Sequence, residues 1–166
     1  MHDDYASLWA YNRWADCRVL GACRSLTPEQ YVAEPTPGWS SVRSTLTHLA
    51  IVTDGWLLGV KGEVVDQFPT EADLPTVDDV ERLLDRADRT FQEISPKLTP
   101  EWLATPREFR GGKRSAVLPP WVVIRHVVNH ATYHRGQVAS KLKRLGVEQP
   151  ATDLVYWAFE QVPQQV

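Results

Sequence analysis

Residues 119–146 read PPWVVIRHVVNHATYHRGQVASKLKRLG, and this stretch is the most informative about the fold. It opens on two prolines, which suit the first position of a helix, and it stops at a glycine, which suits the position just past the end. Between them apolar residues recur at helical spacing, at Val123, Ile124, Val127, Ala131, Val138 and Leu142. The stretch is therefore predicted to form one long helix with one face in a core.

Two further helices are predicted from the apolar spacing of the N-terminal part. The first runs from about Tyr5 to Ser25, and a short extra turn is expected at Thr27-Pro28. The second follows Pro37-Gly38 with Ser40 or Ser41 as its N-cap, and it reaches about residue 59.

A third long helix has the clearest start in the sequence. Thr76 and Asp79 resemble a capping box in which Asp replaces the usual Glu or Gln, and Pro96 ends the helix. Four helices of this kind fit an all-α, antiparallel four-helix bundle. The long connection of residues 61–75 favours a crossover between helices 2 and 3. The length of 166 residues indicates a single domain over residues 1–166.

The segment before the last long helix departs from the helical pattern. Gly111-Gly112 lies between two short strand-like runs, so a small β-hairpin is expected before helix 4. Residues 153–161 are interpreted as one last short helix.

Charge and hydropathy exclude several classes of protein. The net charge is −3 and the basic residues are scattered, with Lys141, Lys143 and Arg144 interpreted as a solvated last turn, so nucleic-acid binding is not expected. Apolar windows stay short of 18 residues, which predicts no membrane span. The acidic N-terminus lacks the pattern of a secretory signal, and a cytoplasmic location is expected. Cys17 and Cys23 are interpreted as small apolar side chains.

Three of the five histidines lie on the fourth helix, at His126, His130 and His134. Residues four apart share nearly one helix face, so neighbouring pairs can present two imidazoles to one metal ion. A lone helical histidine is more often a core or surface residue, and a pair is modest evidence. His134 lies nearest the apolar stripe, His130 next and His126 furthest. A metal in the core therefore favours His130 and His134, with His126 beside them unless the helix is rotated.

A third ligand has to come from another helix, and the sequence leaves its identity open. His2 is close to a chain end, where order is poor. His48 lies in the middle of the second helix but off the centre of its apolar stripe. From spacing alone, His48 is as well explained by a non-ligand role as by metal binding.

Four segments together resemble the DinB/YfiT-like family of metalloenzymes. The most specific is NHATYHRGQ at residues 129–137, which resembles the last-helix signature of that family. YNRWAD at 11–16, LTHL at 46–49 with Trp56 beyond it, and DLVY at 153–156 resemble its other motifs. The resemblance spans almost the whole chain.

The resemblance implies a four-helix bundle with a long crossover and a metal site of three histidines. Matched residue by residue, the ligands are His48, His130 and His134. It also implies one zinc or nickel ion and a homodimer. Some relatives of the family's members use a low-molecular-weight thiol, such as bacillithiol or mycothiol, in S-transfer or isomerisation.

Three functions remain open from the sequence. The leading hypothesis is metal-dependent thiol S-transfer onto a small electrophile, because a metal ion can deprotonate a bound thiol. Metal-assisted hydrolysis is second, because no carboxylate lies between His130 and His134 to act as a general base. A metal-binding or dimerisation module without catalysis is third. No catalytic residue is assigned.

Several other side chains are candidates for roles around the metal. In a ligand histidine, Gln137 can hydrogen-bond the ring nitrogen that does not bind the metal. Trp56 and Trp121 are candidates for the walls of a substrate pocket. Arg135 is interpreted as a solvated surface charge or as an anchor for an anionic substrate.

Overall fold

The computed structural model describes residues 2–34, 40–111 and 114–161, and this part of the protein is mostly helical. The elements are α1 (His2–Cys23), α2 (Pro28–Val32), α3 (Val42–Lys61), α4 (Val77–Ile94), a 3₁₀ turn (Ser95–Lys97), α5 (Pro100–Ala104), β1 (Arg107–Gly111), β2 (Arg114–Leu118), α6 (Pro120–Arg144) and α7 (Leu154–Gln161). None of the described helices combines the length and the apolar character that a membrane crossing needs.

The predicted helix starts are confirmed by their caps. Ser41, rather than Ser40, caps α3 by accepting a hydrogen bond from the backbone of Ser44, while Pro37-Gly38 lies outside the described residues. Thr76 and Asp79 form the capping box at α4. The second predicted helix runs further than expected, to Lys61. Its end is set by Gly62, which caps the helix at φ 101°, a conformation that favours glycine.

Four long helices, α1, α3, α4 and α6, account for most of the packing. α3 packs against α4 and α6, and α1 packs against α6 and α4. Their buried apolar residues form two main clusters. One contains Leu20, Leu46, Leu49, Leu84, Val138 and Leu142. The other contains Trp9, Leu57, Phe91, Phe109, Ile124 and Val127. Along α6, His130 falls between Val127 of the second cluster and Ala131 of the first, whereas His48 and His134 lie among residues of the first cluster.

The expected hairpin is present as an antiparallel pair in which Phe109 lies opposite Ala116. Residues 112 and 113 of its turn lie outside the described part. β1 packs against α3, and the buried Phe109 ring meets Trp56 with ring centroids 5.8 Å apart. The hairpin therefore covers the C-terminal half of α3.

Candidate metal centre

Three imidazole rings converge between α6 and α3. The four-residue spacing on α6 brings His130 Nε2 to 3.0 Å from His134 Nε2. Helix α3 supplies His48, whose Nε2 lies 3.2 Å from His130 Nε2. Each ring offers one nitrogen, and the three nitrogens lie within 4.8 Å of one another. The three residues singled out by the sequence are thus brought to one place.

The spacing of these nitrogens fits a small divalent ion. With metal–nitrogen bonds of about 2.0–2.1 Å, two imidazole nitrogens are about 3.3 Å apart in tetrahedral geometry and about 2.9 Å apart in octahedral geometry. The separations of His130 Nε2 from the other two nitrogens, 3.0 and 3.2 Å, lie between these limits, and the three nitrogens all lie within 4.8 Å of one another. The donor set is imidazole alone, which suits zinc and nickel.

The close contacts among the three Nε2 atoms cannot all be hydrogen bonds. Gln137 Oε1 lies 2.8 Å from His134 Nδ1, so this nitrogen donates and leaves a lone pair on His134 Nε2. His130 Nε2 must then donate to His134, because a neutral imidazole nitrogen is either donor or acceptor. Its single proton cannot also serve His48. A cation at the centre would accept all three lone pairs.

Exposure to solvent increases from His134 through His130 to His48, so the cluster is open on the side of His48. His134 is 7% exposed, His130 is half-buried and His48 is exposed. Burial, helped by the neighbouring histidines, lowers the pKa of His130 to about 4. Burial also lowers the pKa of His134, although the hydrogen bond that His134 donates to Gln137 opposes this. These two rings are therefore neutral at neutral pH, as metal ligands must be.

The other predicted site residues fall at different distances from the cluster. His126 is exposed, and its ring centroid lies 5.5 Å from that of His130, but it is outside the converging group. Trp56 packs against His126, with ring centroids 5.8 Å apart, and lines a cavity. Trp121 is exposed near the Arg125 guanidinium and does not line that cavity.

Arg135 corrects the sequence interpretation, since it is neither solvated nor free to anchor a substrate. It is 1% exposed, and its Nη1 donates to Asn12 Oδ1 and Asp16 Oδ1, both at 2.8 Å. Its Nη2 donates to Thr132 Oγ1. Burial raises the pKa of Asp16, and the Arg135 guanidinium opposes that rise. The network joins α6 to α1. It explains why polar residues occupy the motif of residues 11–16 on α1 and the motif of residues 129–137 on α6.

A pattern in the sequence could have revealed this burial. Arg135 continues a row of buried α6 positions at alternating spacings of three and four, namely Val128, Ala131, Arg135, Val138 and Leu142. A charged residue in such a row implies a buried partner, because an unpaired buried charge is costly.

Lys141 is a second correction, because it is buried rather than part of a solvated last turn. Its Nζ donates to Thr45 Oγ1 at 2.6 Å, and burial lowers its pKa. On α6 it follows His130, His134 and Gln137 at spacings of four, three and four, so it shares their face. That face points to α3 rather than to solvent.

The fold and this cluster define a helical protein with a candidate three-histidine metal centre. The chain belongs to the DinB family, whose family model matches residues 1–165.

Individual relatives agree over most of the chain. The protein is similar to Protein DinB of Bacillus subtilis, with 25% identity over 169 residues and 96% of each chain covered. It resembles the crystal structure of a DinB-like protein from Bacillus cereus, with a TM-score of 0.65, 19% identity, and 90% of this chain and 95% of that chain covered. A conserved protein from Enterococcus faecalis has a TM-score of 0.62 at 13% identity, covering 84% of this chain and 94% of its own. These two structures support the fold.

Proposed function

We propose that His48, His130 and His134 hold one divalent ion, zinc or nickel, and that the protein is a metal-dependent thiol S-transferase acting on small electrophiles. The observation that carries the proposal is the convergence of three Nε2 atoms whose close contacts cannot all be hydrogen bonds. Within the described residues, the group of metal-ligating side chains that meets here comprises these three. Three protein ligands with an open position are the usual plan of a catalytic metal site.

The residues around the cluster suit this chemistry. A bound ion would supply positive charge that lowers the pKa of a low-molecular-weight thiol, the proposed co-substrate. The exposed side at His48 leaves room for both reactants, and Gln137 holds the His134 ring in one tautomer. In the reaction the thiolate sulfur bonds to the electrophilic carbon. The bond from that carbon to the leaving group breaks, the leaving group keeps its electron pair, and the thiol proton goes to solvent.

Hydrolysis is the second candidate, favoured by the position of His126. Its exposed ring lies next to His130 and could orient a water molecule toward the open side. The third candidate, a metal-binding or dimerisation module without catalysis, would have the same ligands and no turnover.

One experiment separates the three candidates. Protein purified without an affinity tag or added metal is analysed for metals, and then tested for thiol consumption with alkyl-halide and activated aryl electrophiles, and for ester hydrolysis. About one zinc or nickel per chain with metal-dependent thiol consumption supports the transferase. Metal-dependent hydrolysis alone supports the second candidate, and metal without either activity supports the third. Absence of bound metal, both as purified and after incubation with zinc or nickel, would contradict all three candidates.

The finer features of the fold and assembly belong to the same proposal. The four long helices would form a four-helix bundle in one domain, with a long crossover between α3 and α4. The exposed Leu154, Val155 and Phe159 of α7 suit a homodimer contact, which light scattering at several concentrations would test. A cytoplasmic location is also proposed. The absence of nucleic-acid binding is expected from the net charge of −3. Sequence-selective, low-nanomolar binding in a gel-shift titration would contradict this expectation.

A further inference from the structure

A cavity of about 440 Å³ lies beside the histidine cluster, between α3, the connection that follows it and the hairpin. This volume is within the range of about 300–1,000 Å³ that small-molecule sites occupy. Most of the lining is apolar, and the lining residues are Ile51, Val52, Gly55, Trp56, Gly59, Phe68, Phe109, Arg110, Ser115 and Ala116.

The cavity and the histidine cluster share one face of α3. His48 is followed at helical spacing by Ile51 and Val52, then by Gly55 and Trp56, all of which line the cavity. One helical turn is about 5.4 Å, so the near end of the cavity lies about one turn from His48. At its other side, the Trp56 ring packs against His126, which packs against His130. The cavity is therefore adjacent to the exposed side of the candidate metal centre.

Two glycines of α3 allow aromatic rings to form the cavity walls. A Cβ at Gly55 would lie 2.7 Å from Phe68 Cε1, and a Cβ at Gly59 would lie 2.9 Å from Phe109 Cδ1. Both distances are shorter than van der Waals contact, so these rings reach their places because α3 has no side chain there. The small residues thus create flat aromatic walls.

The charge of the lining selects the kind of ligand. Arg110 is the charged residue among those that line the cavity, and its guanidinium is already paired with Glu108, with Nε 2.9 Å from Oε1 and Nη2 3.0 Å from Oε2. Ser115 contributes one hydroxyl group. A charged ligand group would lose its hydration here without gaining a free partner, whereas a flat apolar group would gain contacts with three aromatic rings.

We infer that this cavity binds the uncharged, flat apolar part of a small molecule, such as an aryl group, with the rest of the molecule directed toward His48. Binding rests on the cavity alone. The identification of this molecule as the electrophile of the reaction rests on the proposed function.

The binding step can be tested with N-phenyl-1-naphthylamine, a neutral aromatic probe whose fluorescence rises in apolar surroundings. Ala116 and Val117 are adjacent in β2 and point to opposite faces of the hairpin, so they give a matched pair of variants. Ala116→Phe fills the cavity, whereas Val117→Phe adds the same ring at a side chain that is 69% exposed.

We expect saturable binding of one probe per chain in the wild-type protein and in Val117→Phe, and at least about tenfold weaker binding in Ala116→Phe. His130→Ala, which removes a proposed metal ligand, should bind the probe as wild type does. Circular dichroism and unfolding curves establish that each variant is folded. Absence of saturable binding to the wild type, or equal affinity in both phenylalanine variants, would overturn the site.

A kinetic comparison tests the role in the reaction. In the metal-loaded protein, Ala116→Phe should raise KM for an aryl-bearing electrophile at least about tenfold and leave a methyl-bearing one nearly unchanged, because only the aryl group needs the cavity. Equal effects on both electrophiles overturn the substrate assignment. Probe binding without any thiol-transfer activity also overturns that assignment and leaves the cavity as a ligand site, so failure of the proposed function is recognised separately.

Discussion

His134 and Arg135 are neighbours in the chain, yet they belong to two polar clusters on different sides of α6. Successive helical residues point about 100° apart, so His134 faces α3 while Arg135 faces α1. Each cluster joins two long helices and each contains a buried polar residue of α6. They differ in how their polar atoms are satisfied.

In the Arg135 cluster, opposite groups meet and the result is sealed. The guanidinium faces the Asp16 carboxylate, and its Nη atoms also donate to Asn12 and Thr132, while its Nε has no hydrogen-bond partner among the described residues. Arg135 and Asp16 are 1% and 2% exposed. In the histidine cluster, like groups meet, because three imidazole nitrogens are turned toward one another, and one side is exposed. A polar cluster in which opposite charges pair stabilises the fold, whereas one in which like groups converge is arranged for a ligand.

The largest expected effect is the loss of the metal when an α6 ligand is removed. His130→Ala and His134→Ala should each abolish binding of the one ion per chain, because two imidazoles remain from three. Elemental analysis of dialysed protein measures this directly. Full metal occupancy in the variant that carries both substitutions would contradict the site assignment. The hydrogen bonds of Arg135, on the other side of α6, should be unchanged in either single variant.

The second effect concerns the other cluster and appears in stability. Asp16→Ala leaves the Arg135 guanidinium buried without its carboxylate, which should lower the free energy of unfolding by about 3–5 kcal/mol. Asp85→Ala is the matched control. It also breaks an ion pair to α1, with Arg13, but the Asp85 side chain is 45% exposed and a loss of about 0–1 kcal/mol is expected. Urea unfolding measures both, and equal losses would show that burial does not distinguish these pairs.

A smaller effect is expected from the residue behind the metal site. Gln137→Ala removes the acceptor of the His134 Nδ1 proton and should weaken metal binding about 10–100-fold, without changing the number of ions bound. Ser140→Ala, at an exposed position of α6, serves as the control. Chelator competition gives the affinities. An unchanged affinity in Gln137→Ala would mean that the hydrogen bond does not orient the ring.

The smallest effect is a dependence of metal-free stability on pH. The pKa of His130 is about 4 in the folded protein against an ordinary 6.5, so between these values the unfolded chain binds more protons. The metal-free protein should therefore lose stability as the pH falls from about 6.5 toward 4. His130→Gln should lose less over that interval. Urea midpoints at about pH 7 and about pH 5 test this, and identical pH slopes in the two proteins would contradict it.

The helices and the hairpin could be predicted from the sequence because their signals are local. The capping box at Thr76, the prolines before α6 and the strand-like runs around Gly111 each act within a few residues, and the structure has an element at each place. The end of α3 was placed early, at Gly59. That glycine lies under the Phe109 ring, and the helix ends at Gly62 instead.

The site was harder to predict because its contacts join distant parts of the chain. Periodicity selected His134 and His130 but left His48 open, since His48 is exposed on α3 and gains its place only from the packing against α6. The prediction of a solvated side chain is wrong for Arg135 and Lys141, because their partners, Asp16 and Thr45, lie on other helices. A charged side chain is usually solvated, so the sequence favours that prediction. The cavity under the hairpin could not be inferred from any single segment.

A comparison of His48→Ala with His126→Ala shows whether His48 is the third metal ligand. Both remove an exposed histidine near the same His130 ring, but only His48 places its nitrogen in the converging group. Metal affinity is measured by chelator competition at one fixed pH, because imidazoles bind metals in their neutral form, and circular dichroism establishes that both variants are helical. We expect a severe loss of metal affinity in His48→Ala and a loss of at most about 10–100-fold in His126→Ala. Intact binding in His48→Ala together with abolished binding in His126→Ala would contradict this expectation.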